Sequence, residues 1–131
     1  HVYPGHKDDH GEGVLIHSKA QSGKYIAADY PTRPIRMLAG FSAGGGSDLA
    51  ARTVAAKMTE ILGQSVVVDN RTGGDGRIGV RAVQSAASDG TTLLFTPFGP
   101  MVTHPSVYEK LPYDLVRDFA PVSIIGRVTT L

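Results

Sequence analysis

Three consecutive glycines, Gly44 to Gly46, separate an apolar run from a segment with helical periodicity, and that junction narrows the folds open to the chain. Before it, Ile35-Arg-Met-Leu-Ala-Gly-Phe41 has the apolar interior of a strand lying within a sheet. After it, Val54, Met58, Ile61 and Leu62 recur at helical spacing. Ala50, Ala51 and Ala55 fill the same side, and Gly63 is a stop signal. The unit then repeats. Ser65-Val-Val-Val-Asp69 is a β-branched strand, and Asn70-Arg-Thr-Gly-Gly-Asp-Gly76 is a second glycine-rich turn. Residues 77–87 form a helix with Ile78, Ala82, Val83 and Ala86 on one face. Thr91-Thr-Leu-Leu-Phe-Thr96 is a third strand, broken by Pro97-Phe-Gly-Pro100. A short helical turn fits 105–108, and 119–127 reads as extended, with Val122, Ile124 and Ile125 as its apolar content. This alternation predicts an α/β fold, a mostly parallel sheet with flanking helices.

Composition removes several function classes. With 131 residues, 41% hydrophobic and 19% charged, the chain is one globular domain or a piece of one. A net charge of +1 without blocks of like charge points to neither nucleic acid nor an anionic membrane surface. Cysteine is absent, which excludes disulfides, zinc thiolates and cysteine nucleophiles. Residues 1–29 differ from the rest: His1, His6, His10 and His17 fall here with Asp8, Asp9 and Glu12, and only Val14-Leu-Ile16 suits a short strand. They read as a leader, tag or flexible arm. Metal binding by His6 and His10 is opposed by Gly5, Gly11 and Gly13, which disfavour the helix their spacing needs. No metal site or cofactor is assigned.

In open α/β sheets ligands collect at the carboxyl ends of the strands. Two segments mark that edge, 41–48 after the first strand and 96–105 after the third. Gly44, Gly45 and Gly46 let a ligand approach the backbone. Their amides, with those of Ser47 and Asp48, stand at a helix N-terminus that favours an anion. Ser47 can cap the helix or offer its hydroxyl, and Asp48 sits in the first turn. The plain alternative is a glycine turn that only starts a helix. The second cluster, Gly73-Gly-Asp-Gly76, reads as a tight connection. A nucleotide-hydrolase phosphate loop would need a lysine, and 41–48 has none. A dinucleotide loop would need a third glycine where Leu49 stands, although Asp69, 23 residues after Gly46, imitates its ribose-binding acid. Ser42 and Ser47 are read as lying outside any Gly-x-Ser-x-Gly elbow. His104, the only histidine outside the arm, reads as a surface or ligand-contact group without a partner.

These residues form a collinear set. Tyr30-Pro-Thr-Arg-Pro-Ile-Arg36, Phe41-x-x-Gly-Gly-Gly-Ser-Asp48, Leu62-Gly-Gln-Ser-Val-Val-Val-Asp-Asn-Arg71, Asp89-Gly-x-Thr-Leu-Leu94, Leu111-Pro-Tyr-Asp114 and Arg117-Asp-Phe-Ala-Pro-Val122 follow in order. From Tyr30 onward the chain resembles the periplasmic solute-binding receptors of tripartite tricarboxylate transporters, the Bug-type receptors. The resemblance implies a partial type II periplasmic-binding-protein fold. Residues 30–131 would be the N-terminal ligand-binding lobe of a two-lobed receptor about twice this length, with the second lobe absent. It implies capture of a small carboxylate (a di- or tricarboxylate, acidic amino acid or aromatic acid) in the periplasm of a Gram-negative bacterium, for membrane permease subunits, with no enzyme activity. Carried onto this chain, one ligand loop is Phe41, Ser42, Gly44, Gly45, Gly46, Ser47 and Asp48, with Gly45 to Asp48 leading. The other is Thr96, Phe98, Gly99, Thr103 and His104. Neither loop holds an arginine. An incomplete lobe would leave a sheet edge open, which residues 1–29 or a homo-oligomer would cover. His104, where the family often has a small or polar residue, and Asp75-Gly-Arg77 set this chain apart. Two other readings remain: a fragment folded through oligomer contacts without ligand affinity, and a small enzyme using His104.

Overall fold

The apolar run at Ile35 becomes the central strand of a parallel sheet because both its faces are covered. The computed structural model describes residues 14–18, 30–97, 101 and 103–126. In chain order the elements are β1 (Val14–Ser18), β2 (Ile35–Ala39), α1 (Gly46–Leu62), β3 (Val66–Asn70), a 3-10 turn (Gly74–Gly76) and α2 (Arg77–Gln84). Then come β4 (Thr92–Phe95), α3 (His104–Val107), α4 (Leu115–Asp118) and β5 (Phe119–Ser123). Strand β2 pairs in parallel with β3 on one side and β4 on the other, so the order is β3-β2-β4. The α/β architecture anticipated from the alternation is the one present.

Side chains alternate across the sheet and sort into two layers. Ile35 and Met37 of β2, Val66 of β3, and Leu93 and Phe95 of β4 pack on Ala51 and Ala55 of α1. On the opposite face, Leu38 and Leu94 meet Val80 and Val83 of α2, together with Met101, Tyr113 and Phe119. Ile35, Leu94, Val80 and Val83 are fully buried, each contributing roughly 1.5–3 kcal/mol of transfer free energy. Gly63 ends α1 in the left-handed conformation (φ 70°), its amide closing on the Thr59 carbonyl.

Several details differ from the sequence expectation. Ile61 is 71% exposed, lying roughly a quarter turn off the line of Ala51, Ala55 and Leu62. Helix α2 stops at Gln84, and its buried face is Gly79, Val80 and Val83. Ile78 is 52% exposed, and its Cδ1 lies over Gly73, so it covers the preceding turn and not the core. Strand β5 ends at Ser123, and Val122, Ile124 and Ile125 are exposed. Helix α4 was not anticipated; Asp114 caps it by accepting the amides of Val116 and Arg117 at 2.9 and 2.8 Å. Within the segment read as a leader, tag or arm, β1 pairs antiparallel with β5 and runs beside β4.

Close backbone packing holds the rim of the sheet. A Cβ on Gly79 would lie 2.9 Å from the Gly40 Cα, and one on Gly40 would lie 2.9 Å from the Gly76 carbonyl oxygen. Helix α2 therefore sits against the end of β2 with no side chain between them. Gly79→Ala is expected to lower unfolding free energy by about 1–3 kcal/mol in urea denaturation. Gly46→Ala, whose Cβ meets nothing within 4 Å among the described residues, should stay within about 0.5 kcal/mol of wild type.

Candidate functional site

The first glycine loop leaves β2 at Gly40 and enters α1 at Gly46. Gly44 takes φ 88°, a conformation that strains any L side chain, which is why glycine is needed at this bend. Gly45 is the N-cap of the 17-residue α1 and has no side-chain cap; the first helical bond runs from the Leu49 amide to the Gly45 carbonyl at 3.0 Å. The amides of Gly45, Gly46, Ser47 and Asp48 therefore lack intrahelical acceptors. Ser42, Gly44, Gly45 and Gly46 are exposed, Phe41 and Ser47 half-buried. Ser47 does not cap the helix. The positive end of the helix dipole thus lies at an exposed Gly45-Gly46 pair, with Ser47 half-buried and Asp48 buried behind it, an arrangement that suits an anion.

Asp48 points the other way. It is 5% exposed, and its carboxylate accepts from the Gly44 amide (2.9 Å), Arg52 Nε (2.9 Å) and Asn70 Nδ2 (3.1 Å). Asn70 Nδ2 also donates to the Phe41 carbonyl at 2.9 Å, and its Oδ1 accepts from Arg52 at 3.1 Å. The ligand role assigned to Asp48 is thus open to its backbone amide, while its side chain braces the loop from beneath. The Gly44 amide is spent on that brace. The Arg52 guanidinium, then the Gly44 and Asn70 donors, pull the Asp48 carboxyl down from the ordinary 3.8 to about 2. Asp69, which resembled a ribose-binding acid, is engaged by Arg36 at 2.6 Å and Arg71 at 3.1 Å; Arg36 first, then Arg71, holds its carboxyl below the usual range.

The second glycine cluster makes the expected tight connection, with Gly73, Gly74, Asp75 and Gly76 all at positive φ. It also touches the site, since Gly76 lies against Gly40. From the third loop, Thr96 is buried with its hydroxyl on the Pro97 carbonyl, and Thr103 is exposed at the start of α3. Phe98 and Gly99 lie outside the described residues, as do His6 and His10.

His104 is neither exposed nor without partners. It is 3% exposed; Nε2 lies 2.8 Å from Asp75 Oδ2, and Nδ1 lies 3.4 Å from the Tyr113 hydroxyl. A second correction concerns Ser42. Gly40-Phe-Ser-Ala-Gly44 does spell Gly-x-Ser-x-Gly, contrary to the expectation that Ser42 lies outside that pattern. In a nucleophile elbow the helix follows the serine directly. Here 43–45 intervene before α1, and both nitrogens of His104 face Asp75 and Tyr113. Arg52, Asn70, Asp75 and Tyr113 were missed as site residues; an asparagine ending the strand after the loop was the one signal available for Asn70.

The depressed Asp48 pKa fixes a pH dependence. Because the folded value lies below the unfolded one, the stabilisation is present above about pH 4 and is lost as pH falls towards 2. Asp48→Asn should lower stability at pH 7 and flatten the decline between pH 4 and 2, measured by urea midpoints across that range.

With this geometry established, three comparisons place the chain among known proteins. A family model described as the tripartite tricarboxylate transporter family receptor matches residues 50–131. Protein BugT of Bordetella pertussis is 38% identical over 117 residues, covering 88% of this chain and 36% of BugT. Such coverage of 131 residues necessarily takes in 41–48. A second relative, from Bordetella bronchiseptica, is 42% identical over 102 residues, 78% of this chain and 30% of that protein. Among solved structures, one described as a periplasmic transporter superposes with TM-score 0.64 at 38% identity, over 66% of this chain and 29% of that one. The structure of R. palustris Rpa4515 with adipate gives TM-score 0.63 at 37% identity, over 66% and 29%. The chain spans about a third of the length of these curated relatives, so they exceed the twofold length expected. The chain belongs to the receptor family of the tripartite tricarboxylate transporters, whose structurally known relatives are periplasmic binding proteins.

Proposed function

We propose that residues 30–131 are the first lobe of a two-lobed receptor that captures a small carboxylate in the periplasm and delivers it to permease subunits. The observation that carries the proposal is the uncapped start of α1, where the amides of Gly45 to Asp48 have no intrahelical acceptor and Gly45 and Gly46 are exposed. One carboxylate would be held there by amides and the Ser47 hydroxyl, with Phe41, Ser42, Thr96, Phe98, Gly99 and Thr103 around it. The similarity to R. palustris Rpa4515 with adipate supports a dicarboxylate. Acidic amino acids, tricarboxylates and aromatic acids remain within the proposed class. A second lobe would supply the opposing contacts. Binding without chemistry fits His104, whose ring nitrogens both face protein groups.

The test is calorimetry of this chain with adipate, citrate, glutamate and benzoate. Adipate should bind. Gly46→Val, which fills the open space above the loop, should weaken binding by about tenfold or more. Ser47→Ala, which removes one hydroxyl, should weaken it by about two- to tenfold. A folded wild-type chain that gives no heat with any of the four would overturn the receptor reading for these residues.

A further inference from the structure

His104 and Asp75 form a contact that the carboxylate cradle does not require. They are 29 residues apart in sequence, one in the turn before α2 and the other at the start of α3. Asp75 has φ 55°, the only described non-glycine residue at positive φ, and it stands in a run of four such residues from Gly73 to Gly76. An L side chain there is strained and persists only where its surroundings over-determine the conformation. Two side chains hold the middle of the turn. His104 Nε2 binds the Asp75 carboxylate, and Arg77 Nε donates to the Gly74 carbonyl at 2.7 Å. Both rest on Tyr108: the His104 ring meets it edge-on at 5.1 Å, and the Arg77 guanidinium stacks on its face at 4.3 Å.

We infer that His104 is a positioning residue for the ligand loops. It acts through Asp75, clamping the left-handed turn to the segment that follows β4. A Tyr113 hydroxyl donating to Nδ1 leaves Nε2–H to donate to Asp75, so a neutral imidazole suffices. The clamped turn carries Gly76 against Gly40, the residue from which the first ligand loop departs. His104 thereby sets the spacing between the loop after β2 and the loop after β4 without reaching the ligand. Only its effect on affinity rests on the receptor reading; the clamp does not.

The experiment compares wild type with His104→Leu, His104→Gln, Asp75→Gly and the double variant His104→Leu/Asp75→Gly. Backbone amide shifts by NMR and thermal midpoints read the clamp. His104→Leu should lower the midpoint by at least about 4 °C and shift the amides of 73–76 and of Gly40. His104→Gln, which offers an N–H near the Nε2 position, should recover most of both changes. On the Asp75→Gly background, where carboxylate and strain are gone, His104→Leu should cost less than half as much. Additive midpoints, or shifts confined to 103–113, would overturn the inference and leave His104 a packing residue. Should His104→Leu fail to fold, Asp75→Gly still decides: it must shift the α3 amides and Gly40, and silence at either refutes the clamp. Where wild type binds adipate, His104→Leu should weaken it by about two- to thirtyfold, and unchanged affinity would remove the effect on the ligand loops. Absence of adipate binding by wild type would count against the receptor reading and leave the NMR and thermal arms to judge the clamp.

Discussion

A carboxylate buried three residues into α1 has to be compensated, and everything around the first glycine loop is arranged to compensate Asp48. Its donors come from three places: Gly44 from the loop, Arg52 from the next turn of the helix, and Asn70 from the end of β3. A buried charge with one partner removed is costly, so each donor is held by the need of the other two. The three glycines supply a loop with many conformations. Asp48 holds one of them through the Gly44 amide and so fixes the approach to the start of α1. Preorganisation of this kind would spare a ligand bound at the proposed site the entropy of ordering the loop.

The parallel pairing of β2 with β3 puts that compensation within reach. It sets Ala39 opposite Asn70, which brings the Asn70 amide beneath the Phe41 carbonyl and the Asp48 carboxylate. At the same end of the sheet, Gly40, Gly76 and Gly79 meet backbone to backbone, so the first and second turns have no side chain between them to yield. The ends of β2 and β3 and the start of α2 thus share one rim. Its stiffness comes from residues that contribute almost no hydrophobic area.

The sequence made the strands, the helices and the glycine loop legible because each follows from local periodicity or a local breaker. It did not reveal directions that depend on distant partners. An acid in the first turn reads the same whether it faces solvent or turns inward, and Asp48 turns inward because of Asn70, 22 positions away. His104 reads as an exposed loop group because Asp75, Tyr108 and Tyr113 gather around it only in the fold. Spacing alone assigns Ile61 and Ile78 to buried faces. The face is in fact set by how closely each helix approaches, through Ala51 and Ala55 in α1 and Gly79 in α2. The collinear family motifs carried more functional information than any of these local signals, since they report the whole arrangement at once.

Arginine placement bears on what the proposed cradle can do. Neither 41–48 nor 96–105 has an arginine of its own, and four arginines elsewhere in the fold have protein partners: Arg52 with Asp48 and Asn70, Arg36 and Arg71 with Asp69, Arg77 with Gly74 and Tyr108. An incoming carboxylate at 41–48 would therefore meet amides and hydroxyls, not a bidentate guanidinium, whose formal charge and two parallel N–H donors hold a carboxylate more tightly. Selectivity built from neutral donors depends on where those donors are held, to within a fraction of an ångström. A receptor that must surrender its ligand gains from weak individual contacts only if their geometry is rigid. The Asp48 brace, the glycine-to-glycine contacts and the His104–Asp75 pair all act on that geometry, from outside the space the ligand would occupy.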